Sequence, residues 1–411
     1  MKISQLFLKI SRKIKFFVFI PFWGIQAIYF DFLVERSDKH IKTKSDQKNI
    51  LIIKLDAIGD YVLFRNFLEQ VKKSVKFKNY KIHLLGNIRY KDLALQLDKN
   101  FVDEFIWIDP SKLLNRFWIV NRENLSLILG LNQNEYEYIL NPTFTRQYLV
   151  DKLIVKNINA FSKVGFIGDS TNTPGFLSRG SERFYTKMIK VEKNNVFEFY
   201  RNKTFFEEVL GQQIVLDRPI IRMGKTILDP GSRTAGWDDK MKYIVIFPGA
   251  GTVDKQWPPL NFAKIIDYIE SKYPGRYSFI IMGGKGDVAA SKQIMSNIKS
   301  QNVVNQTGQT NLVELIQALS EASLLICNDT GAAHIAAALN TKTIFLLKGN
   351  GEFGRFGPYP PEIDQNITAI FPPKIGYNTK TYAKLLGKRF FTTEINDIGV
   401  DTVQGAIDQI L

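Results

Sequence analysis

One pattern appears twice along this chain, and it restricts the possible folds more than any other feature. Asn49-Ile-Leu-Ile-Ile-Lys-Leu55 is a nearly unbroken apolar run of strand length. A turn containing Gly59 follows, then a helical pattern over Tyr61–Val75 in which Val62, Phe64, Phe67, Leu68 and Val71 share helical spacing. A strand without polar alternation belongs in a parallel sheet covered on both faces. Further strands are expected at Lys81–Leu85, Phe105–Ile108, Tyr138–Leu140 and Lys163–Ile167, with helical stretches between most of them. The pattern restarts with strands at Tyr243–Phe247, Ser278–Met282, Leu324–Cys327 and Thr343–Leu347. Helices are expected at Asn261–Tyr273, Asp287–Lys299, Asn311–Glu321 and Ala332–Leu339. The third of these opens on Asn-x-x-Glu, a capping box. Strands alternating with helices predict α/β architecture: two Rossmann-like, doubly wound domains facing a cleft.

The expected organisation has four parts. Residues 1–46 form an N-terminal segment and linker, residues 47–235 a first domain and residues 236–395 a second. Residues 396–411 form a C-terminal helix, expected to pack back on the first domain. The boundary rests on Asp229-Pro-Gly-Ser-Arg-Thr-Ala-Gly236, a turn-rich stretch suited to a linker.

Charge is distributed unevenly. The chain carries 55 Lys+Arg against 40 Asp+Glu, a surplus of +15 that suggests a polyanionic partner. Lys2, Lys9, Arg12, Lys13 and Lys15 lie in an N-terminal stretch without acids, followed by an aromatic-rich apolar run from Phe16 to Phe30. That run is shorter than the roughly 20 residues a bilayer span needs, and Pro21 and Gly24 interrupt it. We read it as a basic, amphipathic and aromatic helix lying on an anionic membrane surface. A helix packed on the protein's own core and a signal segment are the alternatives. No nucleic-acid motif accompanies the charge. A single cysteine excludes an internal disulfide scaffold, and with three histidines a Cys/His zinc site is not expected.

Five segments at strand ends could carry chemistry, because ligands of open α/β sheets bind beyond the carboxyl ends of the strands. Lys54-Leu-Asp-Ala-Ile-Gly-Asp60 brings two carboxylates, Asp56 and Asp60, and lacks the Gly-x-Gly-x-x-Gly of dinucleotide enzymes. Either carboxylate could serve as a general base, or Asp60 could simply cap the following helix. Pro248-Gly249-Ala-Gly251 permits close backbone approach to a ligand, and Lys255 in the same loop suits a phosphate. Trp257, before Pro-Pro, is expected to pack structurally. Asn328-Asp329-Thr330-Gly331 leads into a small-residue helix whose first amides would attract an anion. His334 lies about one turn in; it could reach a phosphate or a sugar, or pack in the core. Gly284, Lys285 and Asp287 follow another strand, with Asp287 or Lys285 as a ribose contact. Arg355, in Gly349-Asn-Gly-Glu-Phe-Gly-Arg-Phe-Gly-Pro-Tyr-Pro360, is a candidate anion contact. A structural loop is equally compatible with the last two segments.

Three of these segments together resemble glycosyltransferase family 9, the ADP-heptose:lipopolysaccharide heptosyltransferase family. They are Ile-Ile-Lys-Leu-Asp-Ala-Ile-Gly-Asp60, Pro-Gly-Ala through Lys255-Gln-Trp-Pro-Pro, and Asn328-Asp-Thr-Gly-Ala-Ala-His334-Ile-Ala-Ala-Ala-Leu. The resemblance spans roughly Asn49 to Tyr359. It implies a GT-B architecture, with the acceptor on the first domain and the nucleotide-sugar on the second. It implies inverting transfer without a bound metal or cofactor, and no Asp-x-Asp triplet occurs in the chain. It implies Asp60 as the base for the acceptor hydroxyl and Lys255 as the stabiliser of the leaving diphosphate. Asp329, Thr330, Gly331 and His334 would bind the donor, with Gly249, Gly251, Gly284, Asp287 and Asn328 lining its site.

Departures from the family pattern also matter. Asp56 stands where heptosyltransferases often have a small hydroxyl residue, so it is a rival base. The Phe-Gly-Arg-Phe-Gly-Pro-Tyr loop is closer to members found with surface-polysaccharide genes. The expected activity is transfer of heptose or another hexose-like sugar from a nucleotide-diphosphate donor, ADP favoured, to lipopolysaccharide or another lipid-linked glycan. The expected location is the cytoplasmic face of the inner membrane. The alternative is a non-catalytic nucleotide-sugar or glycan-binding protein that kept the fold.

Overall fold

The computed structural model describes residues 48–112, 122–132, 134–169, 175–191, 196–222, 242–349, 353–363, 366–375 and 393–411. The basic N-terminal segment and the expected linker at Asp229–Gly236 lie outside the described residues.

The first sheet is built from β1 (Asn49–Lys54), β2 (Lys81–Asn87), β3 (Glu104–Ile108), β4 (Tyr136–Asn141), β5 (Ala160–Phe166) and β6 (Lys187–Ile189). Its order is β3-β2-β1-β4-β5-β6, and every neighbouring pair is parallel. The second sheet uses β7 (Lys242–Phe247), β8 (Tyr277–Ile281), β9 (Val303–Asn305), β10 (Leu324–Asn328), β11 (Thr343–Leu346) and β12 (Ile367–Ile370). Its order, β12-β11-β10-β7-β8-β9, is the same winding, again wholly parallel. Each chain half starts in the middle of its sheet, winds to one edge, then returns to build the other edge. The direction reverses between β1 and β4 and between β7 and β10, which makes these the ligand-binding positions of such sheets.

The apolar runs explain which strands are central. All six residues of β1 and all five of β10 are buried. Three short strands, β6, β9 and β12, were not anticipated; each lies at a sheet edge and is only partly buried. The expected helix over Tyr61–Val75 is two helices, Ile58–Val62 and Asn66–Lys73. The capping box is present: Asn311 accepts from the amides of Val313 at 2.9 Å and Glu314 at 3.0 Å, and Glu314 accepts from the Asn311 amide at 2.8 Å.

By its contacts the chain divides into two units. The first comprises the described residues up to Leu55 together with Ser74–Ile88 and Val102–Val191. Its core includes Leu51, Ile53, Ile139, Ile154 and Tyr185. The second comprises Asp56–Lys73, Arg89–Phe101 and Glu192–Leu411. It therefore contains the helices Ile58–Val62, Asn66–Lys73 and Lys91–Leu97, which in sequence lie between strands of the first sheet. The C-terminal helix, Val400–Ile410, places Val403 and Ile407 in the second sheet's core with Ile244, Ile326 and Ile344. Burying that apolar stripe beside Trp257 completes the second core and leaves the stripe unavailable elsewhere. No helix among the described residues is long and apolar enough to cross a membrane.

Candidate active site

The site is built where the second sheet reverses direction. β7 and β10 are neighbours, with Phe247 opposite Cys327, so their following loops leave side by side. Asn328, the last residue of β10, is fully buried and holds the two loops together. Its side-chain oxygen accepts from the Trp257 amide at 3.1 Å, and its NH2 donates to the Pro248 carbonyl at 2.7 Å. A side-chain amide carries both a donor and an acceptor, so one residue satisfies both loops. Trp257 has the structural place expected of it. It is fully buried, its indole N–H donates to the Ile398 carbonyl at 3.0 Å, and its ring meets Phe262 edge-on.

The loop after β10 enters the helix Gly331–Leu339 through Thr330, an extended N-cap whose side chain makes no capping bond. The first-turn amides are thus not taken up by that hydroxyl, and they lie at the positive end of the helix. Beside them, Lys255 Nζ sits 2.7 Å from Asp329 Oδ2, each side chain about one-fifth exposed. Lys255 comes from the short turn Val253–Lys255 on the β7 loop, Asp329 from the β10 loop. The structure therefore unites residues 74 positions apart that the sequence separately assigned to the donor.

The helix Ile58–Val62 packs directly on the helix Gly331–Leu339. Two glycines make the approach possible. A Cβ on Gly59 would overlap the His334 ring, and one on Gly331 would stand 3.2 Å from Ile58 Cβ. Asp60 follows Gly59 and is half-buried in the first turn. It does not occupy the N-cap, which is Ala57. Asp56 is also half-buried, in the loop before the helix.

Tyr61 and Arg65 anchor the same stretch of chain. Tyr61 donates to Asp98 Oδ2 at 2.7 Å, while Arg65 Nε and Nη2 reach the two Asp98 oxygens at 3.0 and 2.8 Å. Burial holds the Tyr61 phenol well above its ordinary range, so it remains a donor. Arg65 Nη1 donates to the Ile220 carbonyl at 2.6 Å, and the next amide, Ile221, donates to the Ala338 carbonyl in the helix Gly331–Leu339 at 2.9 Å. The stretch of backbone that carries Asp60 is thus held from both sides, by a glycine contact and by a buried charge network. Gly59→Val should lower stability by about 1–3 kcal/mol through overpacking, and turnover should fall with it. Thermal melting and a transfer assay check this, and wild-type values in both would show that the close contact is dispensable.

The other expected residues are placed as follows. His334 is buried, bonds through Nδ1 to the Tyr359 hydroxyl at 2.7 Å, and lies near the rings of Phe345 and Phe356. Burial first, then Lys255, lower its pKa to about 4 against the opposing effect of Asp329. It is a neutral, packed side chain near neutral pH. Asp287 is turned onto its own loop: it accepts from the Gly284 amide at 2.8 Å and its carboxylate lies against Gly249. Burial raises its pKa. Gly251 is exposed, with open space where a side chain would be. Arg355 is paired with buried Glu198 at 2.7 Å, and the Glu198 amide donates to the Arg355 carbonyl. Its guanidinium ties a loop to the helix Glu198–Leu210.

Sequence reasoning missed Lys348 and Asp254. Lys348 follows β11, and its Nζ lies 2.7 Å from Asp254 Oδ2. The strand-end rule that selected the other loops would also have selected Lys348. Lys348 lines a pocket with Asp329, Gly349, Phe353 and Phe356. Among the described residues, no group of three or more His, Cys, Asp or Glu side chains is gathered as a metal site requires.

Comparison with known proteins agrees with this geometry. Residues 129–381, more than half of the chain, match the family model for glycosyltransferase family 9 (heptosyltransferase). That span includes Lys255 and Asp329 but not Asp60. The chain is similar to lipopolysaccharide heptosyltransferase 1 of Campylobacter coli, 23% identical over 78% of this chain and 88% of that protein. It is 26% identical to lipopolysaccharide heptosyltransferase 3 of Escherichia coli over 70% of this chain and 80% of that one. Among solved structures, the family 9 glycosyltransferase from Veillonella parvula superposes with a TM-score of 0.65 at 18% identity, covering 89% of this chain and 97% of that one. E. coli heptosyltransferase WaaC with ADP gives 0.63 at 15% identity, covering 88% and 100%. These likenesses place the two Rossmann-like sheets in the GT-B fold. The chain belongs to glycosyltransferase family 9 (heptosyltransferase), and it is a glycosyltransferase.

Proposed function

We propose that this enzyme transfers heptose or a hexose-like sugar from a nucleotide-diphosphate donor, ADP favoured, to lipopolysaccharide or another lipid-linked glycan. The transfer is inverting and metal-independent. One observation carries the reading: Lys255 sits on Asp329 at the N-terminus of the helix against which the Asp60-bearing helix packs. An inverting transfer needs these parts: a base, and compensation for a departing diphosphate.

In this reading the acceptor oxygen attacks the anomeric carbon and gives its proton to the Asp60 carboxylate. The bond from that carbon to the diphosphate oxygen breaks, and the negative charge collects on the phosphate. Lys255 and the first amides of the helix Gly331–Leu339 meet that charge. The names of the Campylobacter and Escherichia relatives support a lipopolysaccharide acceptor. The E. coli structure with ADP supports an adenine donor. The five basic residues ahead of Phe16 support a peripheral place on an anionic cytoplasmic membrane face.

The test is a thermal-shift screen against ADP-, GDP-, UDP- and dTDP-sugars, since a ligand that binds the folded state raises the melting temperature. Transfer to lipopolysaccharide in EDTA follows, with the product's anomeric configuration read by NMR. ADP-heptose should give the largest shift and an inverted product. A retained configuration, or activity lost in EDTA and restored by a divalent cation, would overturn the mechanism. Salt-sensitive flotation with anionic liposomes checks the membrane arm, and no flotation at low salt would remove it.

A further inference from the structure

Asp329 has two lysines near it: Lys348, which lines the same pocket, and Lys255, which pairs with it from the neighbouring loop. Their ion pairs are linked by sequence: Asp254 and Lys255 are consecutive, Lys255 reaches Asp329, and Asp254 reaches Lys348. Asp329 and Lys348 both line the pocket, with Phe353 and Phe356 at its apolar side. Two opposite charges, Asp329 and Lys348, therefore line a concave space at the strand ends, and each is paired with a residue of the β7 loop.

The two members of the outer pair are unequal. The Lys348 side chain is 9% exposed and the Asp254 side chain 60%. A nearly buried ammonium needs an anion, because an uncompensated charge removed from water is costly. The exposed carboxylate is the partner that can leave, since water solvates it when it swings away. The Lys348 carbonyl also accepts from the Thr393 hydroxyl, which fixes the backbone from which the ammonium projects. Lys348 lowers the pKa of Asp254, so the carboxylate is ionised at neutral pH and available to be displaced by another anion.

We propose that Lys348 is a second cation for the donor's diphosphate, held in the empty enzyme by Asp254 as an exchangeable counter-ion. This rests on the donor assignment made above. When the donor binds, the diphosphate takes the place of Asp254 on Lys348 while Lys255 meets the other phosphate. Asp254 turns to solvent, and the exchange moves charges without stranding any of them.

The experiment uses the full chain and isothermal titration with ADP, GDP, UDP and dTDP, each against its monophosphate. Lys348→Met should weaken the preferred diphosphate at least tenfold and leave the monophosphate within about twofold, because the lost cation faces the second phosphate. Lys348→Arg should keep most of the diphosphate preference. Asp254→Asn should bind the diphosphate at least as tightly as wild type, because a competing anion is gone. Unchanged diphosphate binding in Lys348→Met, or weakened binding in Asp254→Asn, overturns the inference while the donor assignment stands. If the wild-type enzyme prefers none of the diphosphates to its monophosphate, the donor assignment itself fails and this inference falls with it. Should Lys348→Met lower the melting temperature sharply, Asp254→Asn and Lys348→Arg decide the question alone.

Discussion

Asp60→Asn is expected to lower transfer by about 10²- to 10⁴-fold, the usual worth of a positioned general base, while nucleotide binding stays near wild type. The amide has nearly the same shape but cannot take the acceptor's proton. The packing around it should survive, because the neighbours do the structural work: Gly59 meets His334, and Tyr61 bonds Asp98. Melting temperature should therefore move little. Single-turnover transfer with saturating donor separates chemistry from binding. Near-normal turnover in Asp60→Asn, with loss in Asp56→Asn, would move the base one turn back to the half-buried carboxylate in the preceding loop.

Lys255→Ala should damage both kcat and donor affinity. Removing one preorganised group that meets developing charge typically costs about 10²–10³ in rate. The ground state suffers as well, because Asp329 loses the ammonium that lies 2.7 Å away. Its carboxylate then repels the incoming diphosphate. Donor KM should rise with the fall in kcat, whereas Asp60→Asn should lower kcat alone. The two variants therefore leave different kinetic signatures. Unchanged kinetics in Lys255→Ala would remove it from the site.

The sequence disclosed the fold in proportion to burial. β1, β7 and β10 carry long apolar runs because both of their faces are covered, and they were legible. β6 and β9, three residues each, and β12, four, lie at edges where little apolar surface is needed. The break after Val62 was hidden because Phe64 and Phe67 continue the helical spacing across it, while the side chain of Arg65 turns to Asp98. At the site, strand-end loops selected Lys255 and Asp329, but their ion pair is a product of strand order. The pairing of Lys348 with Asp254 spans 94 positions and leaves no local signature. Asp287 and Arg355 were selected by the same rule, and their partners, a local amide and Glu198, were likewise not legible in the sequence.

The contact between Gly59 and His334 also bears on biosynthesis. The helix bearing Asp60 leaves the ribosome before the helix it packs on, which follows about 270 residues later. At roughly 5–20 residues per second, that delay is on the order of tens of seconds. Until then the glycine face has no partner and the carboxylate no fixed position. A nascent or prematurely terminated chain would therefore hold the acceptor's base without the surface that aims it. Competence for transfer would arrive only once the helix Gly331–Leu339 has been made, and a chain lacking it would not act on sugar donors in the meantime.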